Sequence, residues 1–199
     1  MLDAFFDPAD APPPASALGE AGRPRRLLPR GLSAPGVTLS EAPVAGLWRL
    51  EAASGRAGAL AEALAALGRP APGPACWTAD AAGATLRLAP RVWWLVDERP
   101  GAPPTIARAD ASVVDLSHAR TRLDLSGPDW RALVARLAAL DVREGRAVAG
   151  TLATAPMHGV AATWCWRQDG AALWLPRLRA RALFGVIVET AAQFGVEVV

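Results

Sequence analysis

The sequence predicts an α+β fold in which helices pack on largely antiparallel sheet. Three observations predict it. Short apolar runs joined by tight turns read as strands, three stretches carry apolar residues at helical spacing, and the strand-helix pattern repeats in outline after residue 110. The 199 residues, 52% hydrophobic and 20% charged, fit one large domain or two small halves sharing a core, and they exclude disorder throughout.

Residues 1–43 hold Pro8, Pro12, Pro13 and Pro14, the cluster Arg23, Arg25, Arg26 and Arg30, and no sustained hydrophobic period. They read as an extended Pro/Arg-rich arm, either solvated or laid on a partner. Residues 44–199 read as one domain with halves at approximately 44–110 and 111–199. In the first half, 44–50 is a strand, and Leu60, Leu64 and Leu67 make a helical stripe ending at Gly68, a C-terminal cap. After the loop around Pro70, Pro72 and Pro74, 84–88 and 92–96 are two strands joined tightly through Pro90. A second Pro/Gly loop spans 100–104.

In the second half, 112–116 and 121–125 are strands, the latter with Leu123 and Leu125 on one face and Arg122 and Asp124 on the other. Ser126-Gly127-Pro128-Asp129 offers a Ser N-cap, and Trp130, Leu133, Val134 and Leu137 form the buried stripe of the helix that follows. Strands 160–166 and 171–175 flank Arg167-Gln168-Asp169-Gly170, a hairpin turn in which Gly170 is expected to supply a positive φ. The last helix, 180–194, buries Leu183, Phe184, Ile187, Val188 and Ala191 and stops at Gly195, with 196–199 as a final strand.

Composition removes several chemistries. All 21 basic residues are Arg, so a Schiff base, a pyridoxal anchor and a P-loop lysine are excluded. Against 19 acids they leave a net charge of +2, and they are scattered without interleaved aromatics, which argues against nucleic acid as a partner. His118, His158, Cys76 and Cys165 form no metal-binding spacing, and no dinucleotide, nucleophile-elbow or P-loop motif occurs. The start MLDAFFDPADAPPP has no signal-peptide pattern, no apolar run nears the ~18–20 residues of a membrane span, and two Cys do not make a disulfide scaffold. The expectation is a cytoplasmic protein without membrane contact.

The remaining candidates are weak as catalysts. Asp115, Ser117 and His118 lie close in sequence, but Asp115 and Ser117 share a side while His118 points away, so they read as a turn held by side-chain to backbone hydrogen bonds. Cys165, between Trp164 and Trp166, reads as a small packed hydrophobe. Trp93 and Trp94 are neighbours on a strand, so one of them is expected to face outward as a partner anchor, unless a second layer of the chain covers it. Arg177, Arg179 and Arg181 oppose the dipole of the last helix, which an acidic partner surface or a bound anion would compensate, ordinary solvent screening being the more frequent alternative. With Arg23, Arg25 and Arg26, these five make the set of interface candidates.

The segment Val114-Asp115-Leu116-Ser117-His118-Ala119-Arg120, then Leu123-Asp124-Leu125-Ser126-Gly127-Pro128 and a helix ending near Leu140-Asp141, resembles the gamma subunit of heterotetrameric sarcosine oxidase. Ala89-Pro90-Arg91-Val92-Trp93-Trp94-Leu95 is similar to a strand of that family, and Arg181 to Phe184 through Ala192 to Gly195 is similar to its closing helix. The likeness covers roughly 44–195. It implies the aminomethyltransferase-like folate-binding fold, with two related α/β halves. It also implies an accessory, non-catalytic chain in a complex that oxidatively demethylates sarcosine to glycine, with tetrahydrofolate as methylene acceptor. The alpha, beta and delta subunits would be its partners. FAD, FMN, NAD and tetrahydrofolate would sit on those partners, with no cofactor on this chain and no catalytic residue carried over. Two alternatives stand beside it: a subunit of a related N-methyl amino-acid dehydrogenase, and a self-sufficient folate-binding or aminomethyl-transfer protein using Asp115 or Asp124.

Overall fold

The computed structural model describes residues 15–99 and 101–199; Pro8, Pro12, Pro13 and Pro14 of the expected arm, and Pro100 of the second loop, lie outside the described residues. A 3-10 turn, Gly19–Gly22, is followed by β1 (Arg25–Leu27), β2 (Val37–Ala42), β3 (Gly46–Ala52) and α1 (Ala57–Ala66). Next come β4 (Trp77–Ala79), β5 (Gly83–Ala89), β6 (Val92–Asp97), β7 (Ala111–Asp115), β8 (Arg120–Ser126) and α2 (Trp130–Leu137). The chain ends with β9 (Leu152–Met157), β10 (Val160–Trp166), β11 (Gly170–Pro176), α3 (Arg177–Ala191), a 3-10 turn Ala192–Phe194 and β12 (Val196–Val198).

These strands build two sheets, one of seven strands in the order β1-β12-β2-β8-β11-β10-β9 and one of five in the order β4-β5-β6-β3-β7. Every pairing is antiparallel except β12 with β2. Side-chain alternation then sorts each strand into two cores. Leu123, Leu125, Trp164, Trp166, Leu173 and Leu175 leave one face of the larger sheet and pack under α2 and α3. Cys165, Ala172 and Trp174 leave its other face and meet Leu47, Leu86, Trp94 and Val96 of the smaller sheet. Trp48, Leu50, Trp93 and Leu95 leave the far face of that sheet and pack under Leu60 and Leu64 of α1. The result is the expected α+β class, built as helix pair, sheet, sheet, helix.

The helical stripes form as read: Trp130, Leu133, Val134 and Leu137 are buried on α2, and Leu183, Phe184, Ile187, Val188 and Ala191 on α3. Leu67 does not join its stripe; it is 44% exposed because α1 ends at Ala66, and Gly68 takes the positive φ of a helix stop.

Two expectations about the organisation of the chain are corrected. Residues 15–43 are not an unpacked arm: β2 is an inner strand with Val37 and Leu39 fully buried, Leu18 enters the same core, and β1 pairs with β12. The boundary between halves shifts as well, since β7 pairs with β3 in the smaller sheet while β2 belongs to the larger one. The chain therefore crosses between the sheets at 43–45 and again at 116–119.

Local chemistry differs at two turns. Ser126 is the last residue of β8 rather than an N-cap, and α2 begins after Asp129 without a side-chain cap. Gly127 is required instead, with φ +103° and its pro-Cβ position 2.5 Å from the Gly36 carbonyl. The 167–170 hairpin forms, but Gly170 has no positive φ; a Cβ there would lie 2.0 Å from the Leu125 carbonyl of the neighbouring strand. The positive-φ hairpin is the one joining β9 to β10, where His158 (φ 48°) and Gly159 (φ 77°) make a mirror-image two-residue turn.

Candidate functional site

The two crossovers between sheets meet the start of α3, and a cavity of about 220 Å³ lies where they meet. Glu41 and Ala42 come from the end of β2, Pro43 and Val44 from the first crossover, Ser117 from the second, Arg120 and Thr121 from the start of β8, and Arg177 from α3, with Ala15 and Ser16 at the edge. Backbone pairing fixes this junction: the Arg177 amide donates to the Ala119 carbonyl at 2.9 Å, and the Leu47 amide donates to Ser117 Oγ at 2.9 Å. Asp115 Oδ1 accepts from the Ser117 amide at 2.8 Å. The expected turn held by Asp115 and Ser117 is therefore present, and His118 is exposed beside it.

Glu41 anchors the wall. Its Oε1 accepts from the Ala17 amide at 2.7 Å and from the Thr121 hydroxyl at 3.1 Å, and its Oε2 accepts from the Ser16 hydroxyl. One Arg177 nitrogen donates to the Ala15 carbonyl. Arg120 stands apart: its guanidinium lies 5.3 Å over the Trp94 ring, and burial pulls its pKa below the usual arginine value. Arg120 and Glu41 did not emerge from sequence reasoning, because Arg120 was one letter of a longer motif and Glu41 fell in the supposed arm. The alternation Val37, Leu39 and Glu41 against Thr38, Ser40 and Ala42 is the signal that could have found β2 and its carboxylate.

The expected outward Trp does not exist. Trp93 is 1% exposed under α1 and Trp94 is 5% exposed between the sheets, edge-on to Trp174 at 5.9 Å. The five-stranded sheet is covered on both faces, so both neighbours are core and neither can anchor a partner. Replacing either would report on folding, not on assembly.

The arginines are placed differently. Arg177 is half-buried at the cavity, whereas Arg179 and Arg181 are exposed on the first turns of α3, beside a Leu178 that is 99% exposed. Arg23, Arg25 and Arg26 are exposed along the strap that runs through the 3-10 turn and β1. Arg23 pairs with Glu20 at 2.6 Å, and Arg25 and Arg26 donate to the Ala21 and Ser33 carbonyls. The 3-10 turn packs against α3, so strap and helix border one another.

Between the sheets, Arg122 contacts Glu98 at 2.7 Å and faces Asp124 at 3.3 Å, and Arg167 reaches Asp124 at 3.0 Å. Asp124 is thus engaged by two guanidinia. The face of β8 carrying Arg122 and Asp124 looks into the sandwich and not into solvent. Cys165 on the same side is 1% exposed, and burial pushes its thiol up to about 12, as its reading as a packed hydrophobe requires. Among the described residues no three His, Cys, Asp or Glu side chains gather as a metal site, and no helix is long and apolar enough to cross a membrane.

No family model matches the chain, and no curated protein matches it in sequence. Among solved structures, a chain of the heterotetrameric sarcosine oxidase from Corynebacterium sp. U-96, in complex with pyrrole 2-carboxylate, is similar with a TM-score of 0.67 and 22% identity. The match covers 82% of this chain and 88% of that one. The glycine cleavage system aminomethyltransferase T from Bartonella henselae is similar with a TM-score of 0.53 and 18% identity, over 83% of this chain and 48% of that one. This chain thus spans about half the length of the aminomethyltransferase. The fold is the one these two proteins share.

Proposed function

We propose that this chain is an accessory, non-catalytic subunit of a flavin-dependent oxidase complex that demethylates an N-methyl amino acid, sarcosine being the first candidate. One observation carries the reading: the fold likeness to a sarcosine oxidase chain runs nearly end to end, 82% of this chain on 88% of that one, whereas it reaches 48% of the aminomethyltransferase. The sequence motifs resembling the gamma subunit support it. Flavin, nicotinamide nucleotide and tetrahydrofolate belong to the larger partner chains in this reading.

The docking surface is the first turns of α3 with the strap beside them. Leu178 at 99% exposure, flanked by Arg179 and Arg181, fits an apolar socket rimmed by carboxylates on the partner. Stable assembly would bury about 1,200–2,000 Å² in such an interface. The test is purification of the tagged chain from its native lysate, with the eluate examined for a flavin spectrum and for sarcosine-dependent peroxide. A yellow, active eluate is expected, and Leu178→Asp should lose it while leaving the chain's thermal unfolding unchanged. A colourless lone chain, from cells expressing the oxidase, overturns the reading. Saturable quenching of Trp fluorescence by tetrahydrofolate in that lone chain would favour a self-sufficient folate-binding protein.

A further inference from the structure

The cavity at the sheet crossovers carries an imbalance of hydrogen-bonding groups. Its lining holds two guanidinia, Arg120 and Arg177, against one carboxylate, Glu41. Glu41 already accepts from the Ser16 hydroxyl, the Ala17 amide and the Thr121 hydroxyl, which face it from the N-terminal strap and from β8. Arg177 uses one nitrogen on the Ala15 carbonyl. Among the described residues, neither guanidinium forms an ion pair, and the Arg120 side chain donates no hydrogen bond. The Ser117 oxygen accepts from the Leu47 amide, which leaves its own hydroxyl proton to donate.

A half-buried guanidinium without a protein acceptor gives up part of its hydration and gains no hydrogen bond in return, and one side of Arg120 is further closed off by the Trp94 ring. The cost is removed by a planar anion, whose two oxygens match the guanidinium fork. The residues that carry the free donors, Arg120, Ser117 and Arg177, all line a volume of about 220 Å³, which admits a small molecule or one acidic side chain and little more. The wall is also rigid, since its residues are tied down by the crossover hydrogen bonds and the Glu41 clamp. We propose that this cavity is a carboxylate-binding site, with Arg120 the principal contact and Ser117 and Arg177 supporting donors.

The carboxylate has two possible sources, a free small acid or an acidic side chain of another protein, and the test separates them. The full-length chain is titrated with acetate, with succinate and with a capped acidic decapeptide, each against chloride at equal ionic strength. Heat and backbone amide shifts are followed. Saturable binding of acetate or succinate, with shifts centred on residues 41–44, 117–121 and 177, assigns a free-acid site. Saturation by the peptide alone, with the same shifts, assigns an acidic side chain.

Arg120→Gln should weaken whichever ligand binds by about tenfold or more, and Arg120→Lys, which keeps the charge and loses the fork, should weaken it less. Circular dichroism and thermal unfolding of both variants establish that they fold; if Arg120→Gln does not, the Lys variant and the shift map still decide. The proposal is overturned if no carboxylate saturates, if the shifts lie elsewhere, or if a folded Arg120→Gln binds as well as the parent.

Discussion

Arg69 shows how one charged side chain can organise a sheet. It is 7% exposed, and its guanidinium contacts Asp97 Oδ1 at 2.8 Å and donates to the Ala84 and Val96 carbonyls at 2.8 and 2.5 Å. Asp97 Oδ2 accepts in turn from Trp48 Nε1 at 3.0 Å, so α1's exit loop, β3, β5 and β6 are joined through one ion pair. Gly83 makes room for the approach, since a Cβ there would lie 2.0 Å from the Val96 carbonyl. Removing one partner of a buried pair costs more than the pair contributes, so Arg69→Met should lower unfolding free energy in urea by about 3 kcal/mol. A loss under about 1 kcal/mol would mean that water replaces the guanidinium. Cys165 makes the second prediction at this scale. Its folded pKa, about 12, lies above the ordinary thiol value of 9.0, so the neutral form is favoured in the fold; that stability is complete below pH 9 and lost as pH rises toward 12. A Cys165→Ala variant should show a flatter decline of stability over that window. In the native protein at pH 8, a thiol reagent should label half-buried Cys76 and reach Cys165 only after denaturant is added.

At the scale of elements, the two hairpins of the larger sheet exchange the roles that glycine spacing suggests. Gly159 and His158 adopt positive φ, a conformation in which Asn is better tolerated than His. His158→Asn should therefore raise stability by about 0.5 kcal/mol, whereas Gly170→Ala should cost about 2 kcal/mol because its Cβ meets a backbone carbonyl that cannot move aside. Equal small effects at both sites in thermal unfolding would contradict this assignment. The same scale shows what was readable along the chain. The stripes of α2 and α3 repeat at helical spacing, so every residue named for them is buried, and only Ala180, at the start of the α3 stripe, escapes the pattern. Strands β1 and β4 have three residues each, too few for a period to register, β9 is made largely of small residues that obscure its alternation, and the alternation of β2 is short and set in a Pro/Arg-rich stretch.

At the scale of the molecule, the strap is part of the fold. Leu18 is 1% exposed in the core beneath α3, and Glu41 and Arg177 hold residues 15–17 at the cavity edge. Deleting residues 1–24 strips that leucine and both clamps while sparing β1. Loss of about 2–3 kcal/mol from one buried leucine corresponds to a melting temperature lower by about 5–10 °C in a chain of this size. An unchanged melting temperature would restore the arm reading. The strap also explains why the chain's basic residues did not reveal the candidate site in sequence: the cluster Arg23, Arg25 and Arg26 is conspicuous but engaged with local acceptors, whereas the isolated Arg120, at the cavity, has no acceptor among the described residues.

The sequence by itself determined the α+β class, the three helical stripes, most of the strands and the exclusion of lysine chemistry. These follow from periodicity and composition, which are local quantities that survive without knowledge of contacts. Only the tertiary structure decided what covers each face. A strand such as Trp93-Trp94 announces that it has two apolar faces, but whether α1, the other sheet or a partner covers them depends on elements far away in the chain. The cavity is of the same kind. Glu41, Ser117, Arg120 and Arg177 come from three separate stretches, and they converge because the chain crosses twice between stacked sheets, a consequence of long-range packing that no window of sequence contains.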